Sequence, residues 1–431
     1  MPPITGRNDD IKWICQSGVP VETPVWDRGI HGEAEVLGHV DSRFDWGSCW
    51  FADPEGDPIG PDHRKIVFKG EAAPVPGANL THGTHTAGTL VGNGYQAGAG
   101  ADTTLRALAY RARLASSNYQ QGDYDLYADL ALHHAAGARI HSNSWGQDGQ
   151  TAYTALCQII DAYSHDVEDD LVVFACTNMI TLQSPENAKN VLAVGASLAG
   201  PYFNQQYRGG EGPTIDGRRK PEIYAPGYMI NSAYADQPCN QISKSGCSMA
   251  CPAVVSAGAL ARQYFREGWY PTGAPVPSDA LVPSGALLRA VLLNATLPMD
   301  SLPDGYPNDL EGWGRLVLDE SLHFAGEARG LWVHDVRNAQ GLETGEWVAY
   351  ILPVEAGDEV LAITLAFTDP PGEVAAAEPV VNDLDLRVLA PGGASYLGNV
   401  FDTAAGVSQT GGAGRSRQHG GARHRRRSRG G

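Results

Sequence analysis

Ser245-Gly-Cys-Ser-Met-Ala-Cys-Pro252 runs directly into Ala253-Val-Val-Ser-Ala-Gly-Ala-Leu-Ala261. The second stretch is built of small residues, the composition of a helix packed tightly on its neighbours. A hydroxyl at the head of such a helix, here Ser248, sits in the positive field of the helix N-terminus, and its own backbone N–H points toward a bound carbonyl. Gly246 permits close backbone approach. An isolated Ser before a helix is usually an N-cap; the longer pattern Gly-x-Ser-Met-Ala-x-Pro is more specific. To act as a nucleophile, Ser248 needs an imidazole to take its proton, a carboxylate to hold that imidazole, and donors for the oxyanion.

Upstream, His82-Gly-Thr-His-Thr-Ala-Gly88 supplies two imidazoles on a stretch whose glycines suit a closely packed helix. Its spacing does not choose between His82 and His85. The apolar run from Glu35 to Val40 reads as a short buried strand ending at Asp41, with Asp45 as the rival carboxylate, better suited to a solvated loop. Leu171 to Ala175 reads as a strand, and Asn178 follows just past its end; on its own Asn178 reads as a loop Asn capping a turn.

The rest of this region alternates. Residues 104 to 109 and Arg139 to Ser142 read as strands, as does Val191 to Val194. Asp123 to Ala136 has helical spacing, with Leu126, Leu130, Leu132 and Ala135 near one face and Gly137 as the stop. Further helices are expected over Thr151 to Val167 and Ser284 to Thr296, with a Pro/Gly-rich surface loop over 268 to 283. Strand–helix alternation predicts an α/β fold, a parallel sheet with helices on both faces. Sites in such folds form beyond the carboxyl ends of the strands, where Asp41 and Asn178 fall.

After about Gly326 the pattern changes to strand-like runs without helices: Trp347 to Val354, Val360 to Thr368 and Leu384 to Ala390. The expected division is residues 1 to 326, opening with an irregular lead-in over 1 to 33, then a partial all-β domain over 327 to 402 and a Gly/Arg-rich tail over 403 to 431. The tail's composition is that of a disordered segment, or of a stretch read out of frame.

The formal charge is −18, although the last seventeen residues hold seven Arg and no acid. So acidic a body would repel phosphates and argues against nucleic acid as a partner. No apolar stretch reaches the roughly 18–20 residues of a membrane span, and the N-terminus shows no apolar signal-peptide core. Of seven cysteines, at 15, 49, 157, 176, 239, 247 and 251, none falls in a zinc-ligand spacing. One or two disulfides, Cys49 with Cys239 for instance, are open, as is a set of mostly free buried thiols.

Together, His82-Gly-Thr-His-Thr-Ala-Gly88, Gly246-Cys-Ser-Met-Ala-Cys-Pro252 and a strand ending Asp41-Ser-Arg43 resemble the three signatures of the subtilases, serine peptidases, in the same Asp, His, Ser order. The resemblance spans roughly residues 13 to 400. It implies a subtilisin-like endopeptidase with Asp41, His82 and Ser248 as triad and Asn178 as oxyanion donor. Asn143-Ser-Trp-Gly146 corresponds to the extended segment that pairs with substrate backbone, so Asn143, Ser144, Trp145, Gly146, Ala175 and Thr177 are expected to line the substrate. The C-terminal region, with Phe367-Thr-Asp-Pro-Pro371 and Asn382-Asp-Leu-Asp-Leu386, resembles the jelly-roll of one subtilase branch. The resemblance further implies a secreted, monomeric enzyme acting on polypeptides. It needs no cofactor for catalysis; structural Ca2+ at Asp383 and Asp385 is an option. An N-terminal propeptide is usual in the family and none is recognisable. An esterase elbow, Gly-x-Ser-x-Gly, is excluded by Ala250.

Three residues depart from the family pattern. Arg43 and Thr177 stand where Gly is usual, and Cys247 stands where Thr is usual before the serine. Thr177 is expected to narrow the specificity pocket or shift Asn178, and Cys247 to make the enzyme sensitive to mercurials or oxidation. The alternative function is a catalytically impaired homologue that binds through its β domain.

Overall fold

The computed structural model describes residues 8–70, 79–96, 100–119, 124–236, 239–300, 305–354, 361–410 and 422–426. Asp123, Val360 and most of the Gly/Arg-rich tail lie outside them. In chain order, helices α1 (Asn8–Ile14) and α2 (Pro24–Asp27) precede strands β1 (Val36–Asp41) and β2 (Ile66–Lys69). Helix α3 (Thr81–Val91), the hairpin β3 (Asn93–Gln96) and β4 (Gly100–Arg106), strand β5 (Arg113–Asn118), α4 (Leu126–Ala135), β6 (Ala138–Asn143), α5 (Ala155–Asp166), β7 (Leu171–Ala175) and β8 (Leu192–Ser197) follow. Then come β9 (Gln206–Arg208), β10 (Ile223–Pro226), the hairpin β11 (Ile230–Ala233) and β12 (Gln241–Lys244), α6 (Cys247–Arg266), α7 (Gly285–Asn294), β13 (Thr296–Leu297) and β14 (Arg315–Leu316).

Ten of these strands form one sheet, ordered β13-β14-β10-β8-β7-β6-β1-β5-β2 with β9 beside β8. All its pairings are parallel except β13 with β14 and β8 with β9. The faces separate by alternation along β1. A side chain at Gly38 would run into His141 of β6 and His133 of α4, whereas His39 turns the other way to Thr86 of α3. Helices α3 and α4 therefore cover opposite faces, as the alternating pattern predicts.

Registry fixes the working edge. Asp41 lies opposite Asn118, Val40 opposite Asn143, and Asn143 opposite Phe174. The carboxyl ends of β1, β5, β6 and β7 thus align, and the loops after them share one rim.

Several expectations are corrected. Residues 104 to 109 are not a strand of the central sheet; their first part pairs in the β3–β4 hairpin and the rest is turn. The sheet strand in this part of the chain is β5, between β1 and the edge strand β2, which hydropathy passes over because it reads Arg-Leu-Ala-Ser-Ser-Asn. Its hydroxyls are satisfied inside: Ser116 Oγ lies 3.0 Å from His39 Nδ1 and Ser117 Oγ 2.9 Å from His133 Nε2. The lead-in carries two short helices instead of irregular chain. Trp347 to Val354 forms no strand and is largely exposed, and the strand expected from Leu384 begins at Arg387. Other expectations hold: Gly137, at φ +101°, ends α4, and Ser284 caps α7 by accepting from the Leu287 N–H at 3.0 Å.

Beyond residue 326 the chain adds two small antiparallel sheets, built from β15 (Leu361–Leu365), β16 (Arg387–Leu389), β17 (Ser395–Asp402), β18 (Val407–Thr410) and β19 (Ala422–Arg426). Strands β16, β17 and β18 pair in that order, and β15 pairs with β19. Asp369 fastens this region to the first. Fully buried, it lies 2.5 Å from the equally buried Lys189 Nζ and accepts the backbone N–H groups of Val381 and Asn382 at 3.0 and 2.8 Å. Asn190 brackets it, accepting the Asp369 N–H at 2.9 Å and donating to its carbonyl at 2.8 Å. Gln158 and Tyr153 grip Gly372. Removing one partner of a buried pair strands the other charge, a cost of about 3–5 kcal/mol. Asp369→Ala is therefore expected to lower unfolding stability by about 3 kcal/mol or more in denaturant titration.

Candidate active site

Asp41 ends β1 with no solvent exposure. A buried carboxylate is tolerable only when its oxygens are satisfied. Oδ1 accepts the Ser42 N–H at 2.6 Å and the Ser42 hydroxyl at 3.1 Å; Oδ2 accepts the Thr86 hydroxyl at 3.1 Å. His82 Nδ1 lies 2.6 Å from Oδ1, and His39 Nε2 lies 3.9 Å from Oδ2. Burial alone would raise the carboxyl's pKa, but the charge and hydrogen bond of His82 outweigh it, together with His39 and the Ser42 N–H, and hold it low. Reciprocally, the Asp41 charge raises the His82 pKa against the opposing effect of burial. With Nδ1–H directed at Asp41, the other ring nitrogen is the free acceptor.

The structure separates the rival candidates. His85, fully buried, bonds the Ile230 carbonyl at 2.9 Å, and burial drives its pKa down to about 3. Asp45 stays in the loop, accepting the N–H groups of Gly47 and Asp236. His39 is the residue that the motif reading misses. It lies two positions before Asp41 on the same strand face, and burial lowers its pKa to about 4, so it is neutral at neutral pH. Its Nε2 lies 2.9 Å from the Thr86 hydroxyl, which in turn donates to Asp41. Thr86, four residues after His82 on α3, is the signal that the sequence offered for this support.

Gly83 brings α3 onto Asp41's turn. A Cβ there would lie 2.3 Å from the Ser42 carbonyl oxygen, closer than atoms can stand. The turn itself has no left-handed residue at Arg43, so the departure from Gly at that position needs no strained backbone.

Ser248 is the second residue of α6 and is half-buried. Pro252 lacks the N–H that would bond the Ser248 carbonyl within the helix. The Ser144 hydroxyl takes its place, donating to that carbonyl at 3.1 Å, while the Ser248 hydroxyl donates to the Ser144 carbonyl at 3.2 Å. The head of α6 is thereby tied to the end of β6. Trp145 ties the same segment to β1, its ring N–H donating to the Val40 carbonyl at 3.0 Å. The Ser248 hydroxyl is turned to Ser144 and makes no hydrogen bond to His82; such contacts often close only with substrate bound.

Asn178 sits exposed beside the same helix head. The Cys247 N–H donates to its Oδ1 at 3.1 Å, which leaves the amide NH2 free to turn outward. Gly246, at φ +150°, makes room, since a Cβ there would stand 2.9 Å from that oxygen. Thr177 is turned away, its hydroxyl donating to Asp148 at 2.9 Å and its N–H to Glu186 at 3.0 Å.

Of the expected substrate-lining residues, Ser144, Trp145 and Gly146 lie along the rim, with Ala175 and Thr177 across from them. Asn143 does not present its side chain there: it is fully buried and donates to the Val173 carbonyl at 3.1 Å. Asp383 and Asp385 are exposed, and among the described residues no group of three or more His, Cys, Asp or Glu is placed to hold a metal ion.

The profile of the subtilase family matches residues 32–314. The chain belongs to the subtilase family. Over 502 aligned positions this subtilase is 25% identical to the serine protease/ABC transporter B family protein tagA of Dictyostelium discoideum, covering 90% of this chain and 28% of that protein. It is 29% identical over 219 residues to the extracellular serine proteinase of Thermus sp. (strain Rt41A), covering 48% of this chain and 47% of that one. The chain thus spans under half the length of these curated relatives. The Clostridium perfringens CspB protease shares the fold, with a TM-score of 0.52 at 16% identity, over 69% of this chain and 94% of that one.

The subtilase's thiols correct one expectation. Cys49 and Cys239 form a disulfide; Cys15, Cys157, Cys176, Cys247 and Cys251 are free and buried. Burial pushes the Cys247 thiol up to about 12, so it is not the reactive thiolate expected beside Ser248. Folded protein at pH 8 should show no rapid reaction with a thiol reagent such as dithionitrobenzoate, and denatured protein should show five reactive thiols. Fast labelling of Cys247 in the folded state would contradict this.

Proposed function

We propose that the chain is a serine endopeptidase that hydrolyses peptide bonds through an acyl-enzyme. Ser248 attacks the peptide carbonyl, His82 takes its proton and later gives it to the leaving amine, and Asp41 holds His82 in the required tautomer. The oxyanion is held by the Asn178 side chain and the Ser248 N–H. The observation that carries this reading is the 2.6 Å contact between buried Asp41 and His82, on a helix packed beside the one that Ser248 heads. Family membership and the Asn178 contact to the same helix head support it.

The substrate is read as an extended polypeptide lying beside Ser144 to Gly146, acted on by a monomer. The antiparallel strands β15, β16 and β17 support reading residues 327 to 402 as a partial jelly-roll, with 1 to 326 as the peptidase domain. The Cys49–Cys239 disulfide and the extracellular Thermus relative support a secreted setting. Among the described residues no helix is long and apolar enough to cross a membrane.

A fluorophosphonate probe should label wild-type protein at Ser248 and not Ser248→Ala, and wild type should cleave casein. Ser248→Ala should lose about 10⁶-fold in kcat, and Asn178→Ala about 10²–10³-fold. Folded wild type that takes no label sinks the peptidase reading in favour of a binding homologue. Labelling without peptide cleavage favours an esterase.

A further inference from the structure

Two carboxylates beside the substrate rim take no part in the chemistry above. Glu186 is 1% exposed. Its Oε1 accepts the N–H groups of Thr177 at 3.0 Å and Gln183 at 2.9 Å. Its Oε2 faces Gly146: a Cβ on that glycine would stand 3.6 Å from it. Asp148 lies close by, with Oδ1 accepting the Thr177 hydroxyl at 2.9 Å. Burial, and after the backbone hydrogen bonds the charge of Asp148, bear on Glu186, which is left with a raised pKa.

Several other buried carboxylates hold a cation, whereas Glu311 and Asp161 are met by hydrogen bonds alone. Glu35 has Arg262 and Arg266, Glu222 has Lys220, and Asp369 has Lys189. Neither Glu186 nor Asp148 forms an ion pair with a Lys or Arg among the described residues. A buried anion beside a second anion is costly unless something positive completes it.

The position of the pair decides what that is. A peptide carbonyl within reach of Ser248 and Asn178, on a backbone lying beside Ser144 to Gly146, directs its own side chain into the gap between Ser144–Gly146 and Ala175–Thr177. Gly146 has no side chain to close the gap, and the Thr177 hydroxyl is drawn aside to Asp148. Glu186 touches both segments, its Oε1 on the Thr177 N–H and its Oε2 toward Gly146. We propose that this gap selects a Lys or Arg side chain on the residue whose carbonyl is attacked, with Glu186 Oε2 and Asp148 as its counter-charges. This rests on the peptidase reading. The net charge of −18 would draw cationic peptides toward the rim from a distance.

The test is binding to the Ser248→Ala protein, which does not depend on turnover. Four peptides differing only at the selected residue (Arg, Lys, Leu, Phe) are titrated by calorimetry. Arg and Lys peptides should bind at least about tenfold more tightly than Leu and Phe, the scale of a charged hydrogen bond. Glu186→Gln on that background should bring the Arg-to-Leu ratio close to one. Asp148→Asn, which disturbs no backbone contact, should lower the ratio by a smaller factor and serves if Glu186→Gln does not fold. Equal or tighter binding of Leu or Phe, no binding of any peptide, or a ratio indifferent to the substitutions overturns the assignment. Fluorophosphonate labelling of wild type judges the peptidase reading separately: a labelled enzyme with no preference for a cation loses only the pocket.

Discussion

The structure turns on one buried carboxylate. Asp41 sits at the end of β1 with no access to water, and its oxygens are met by Ser42, Thr86 and His82. Each of those contacts constrains a larger piece. The Ser42 contacts fix the turn after β1. Thr86 and His82 come from one face of α3, so the carboxylate sets where that helix lies. His39 extends the arrangement through the sheet to Ser116 of β5. A charge that needs several partners at once permits few placements of the elements that carry them.

The second constraint is the joint between α6 and β6. Pro252 removes one hydrogen bond from the helix, and the Ser144 hydroxyl fills the vacancy at the Ser248 carbonyl. A residue that weakens a helix thus couples the helix head to a strand end. Because the ends of β1, β6 and β7 are in register, this joint, the Asp41 turn and the Asn178 loop all open on one rim. The same rim is where a parallel α/β sheet places its chemistry.

Much of this was legible in the residues. The Ser248 and His82 stretches carry glycines, small residues and a proline whose roles are local: close approach at Gly83 and Gly246, a missing N–H at Pro252. Strands β1, β7 and β8 read from apolar runs, and β6 from its place between two helices. Strand β5 did not, because its Ser side chains are paired with histidines from distant elements, which no window of sequence shows. His39 and Glu186 were invisible for a related reason: their meaning depends on partners 47 and 9 residues away that only folding brings close. Trp347 to Val354 misled in the opposite sense, since its apolar residues have strand composition but find no partner strand.

The most direct test of the account is the titration of His82, followed by its imidazole NMR signals in wild type and in Asp41→Asn. His82 is raised in wild type by the Asp41 charge, so it should protonate above the ordinary imidazole value of about 6.5. Neutralising residue 41 should move that titration down, because the charged ring loses its counter-charge while its burial remains. A His82 that titrates at or below the ordinary value, or that is indifferent to Asp41→Asn, would contradict the claim that the buried carboxylate holds and tunes the base.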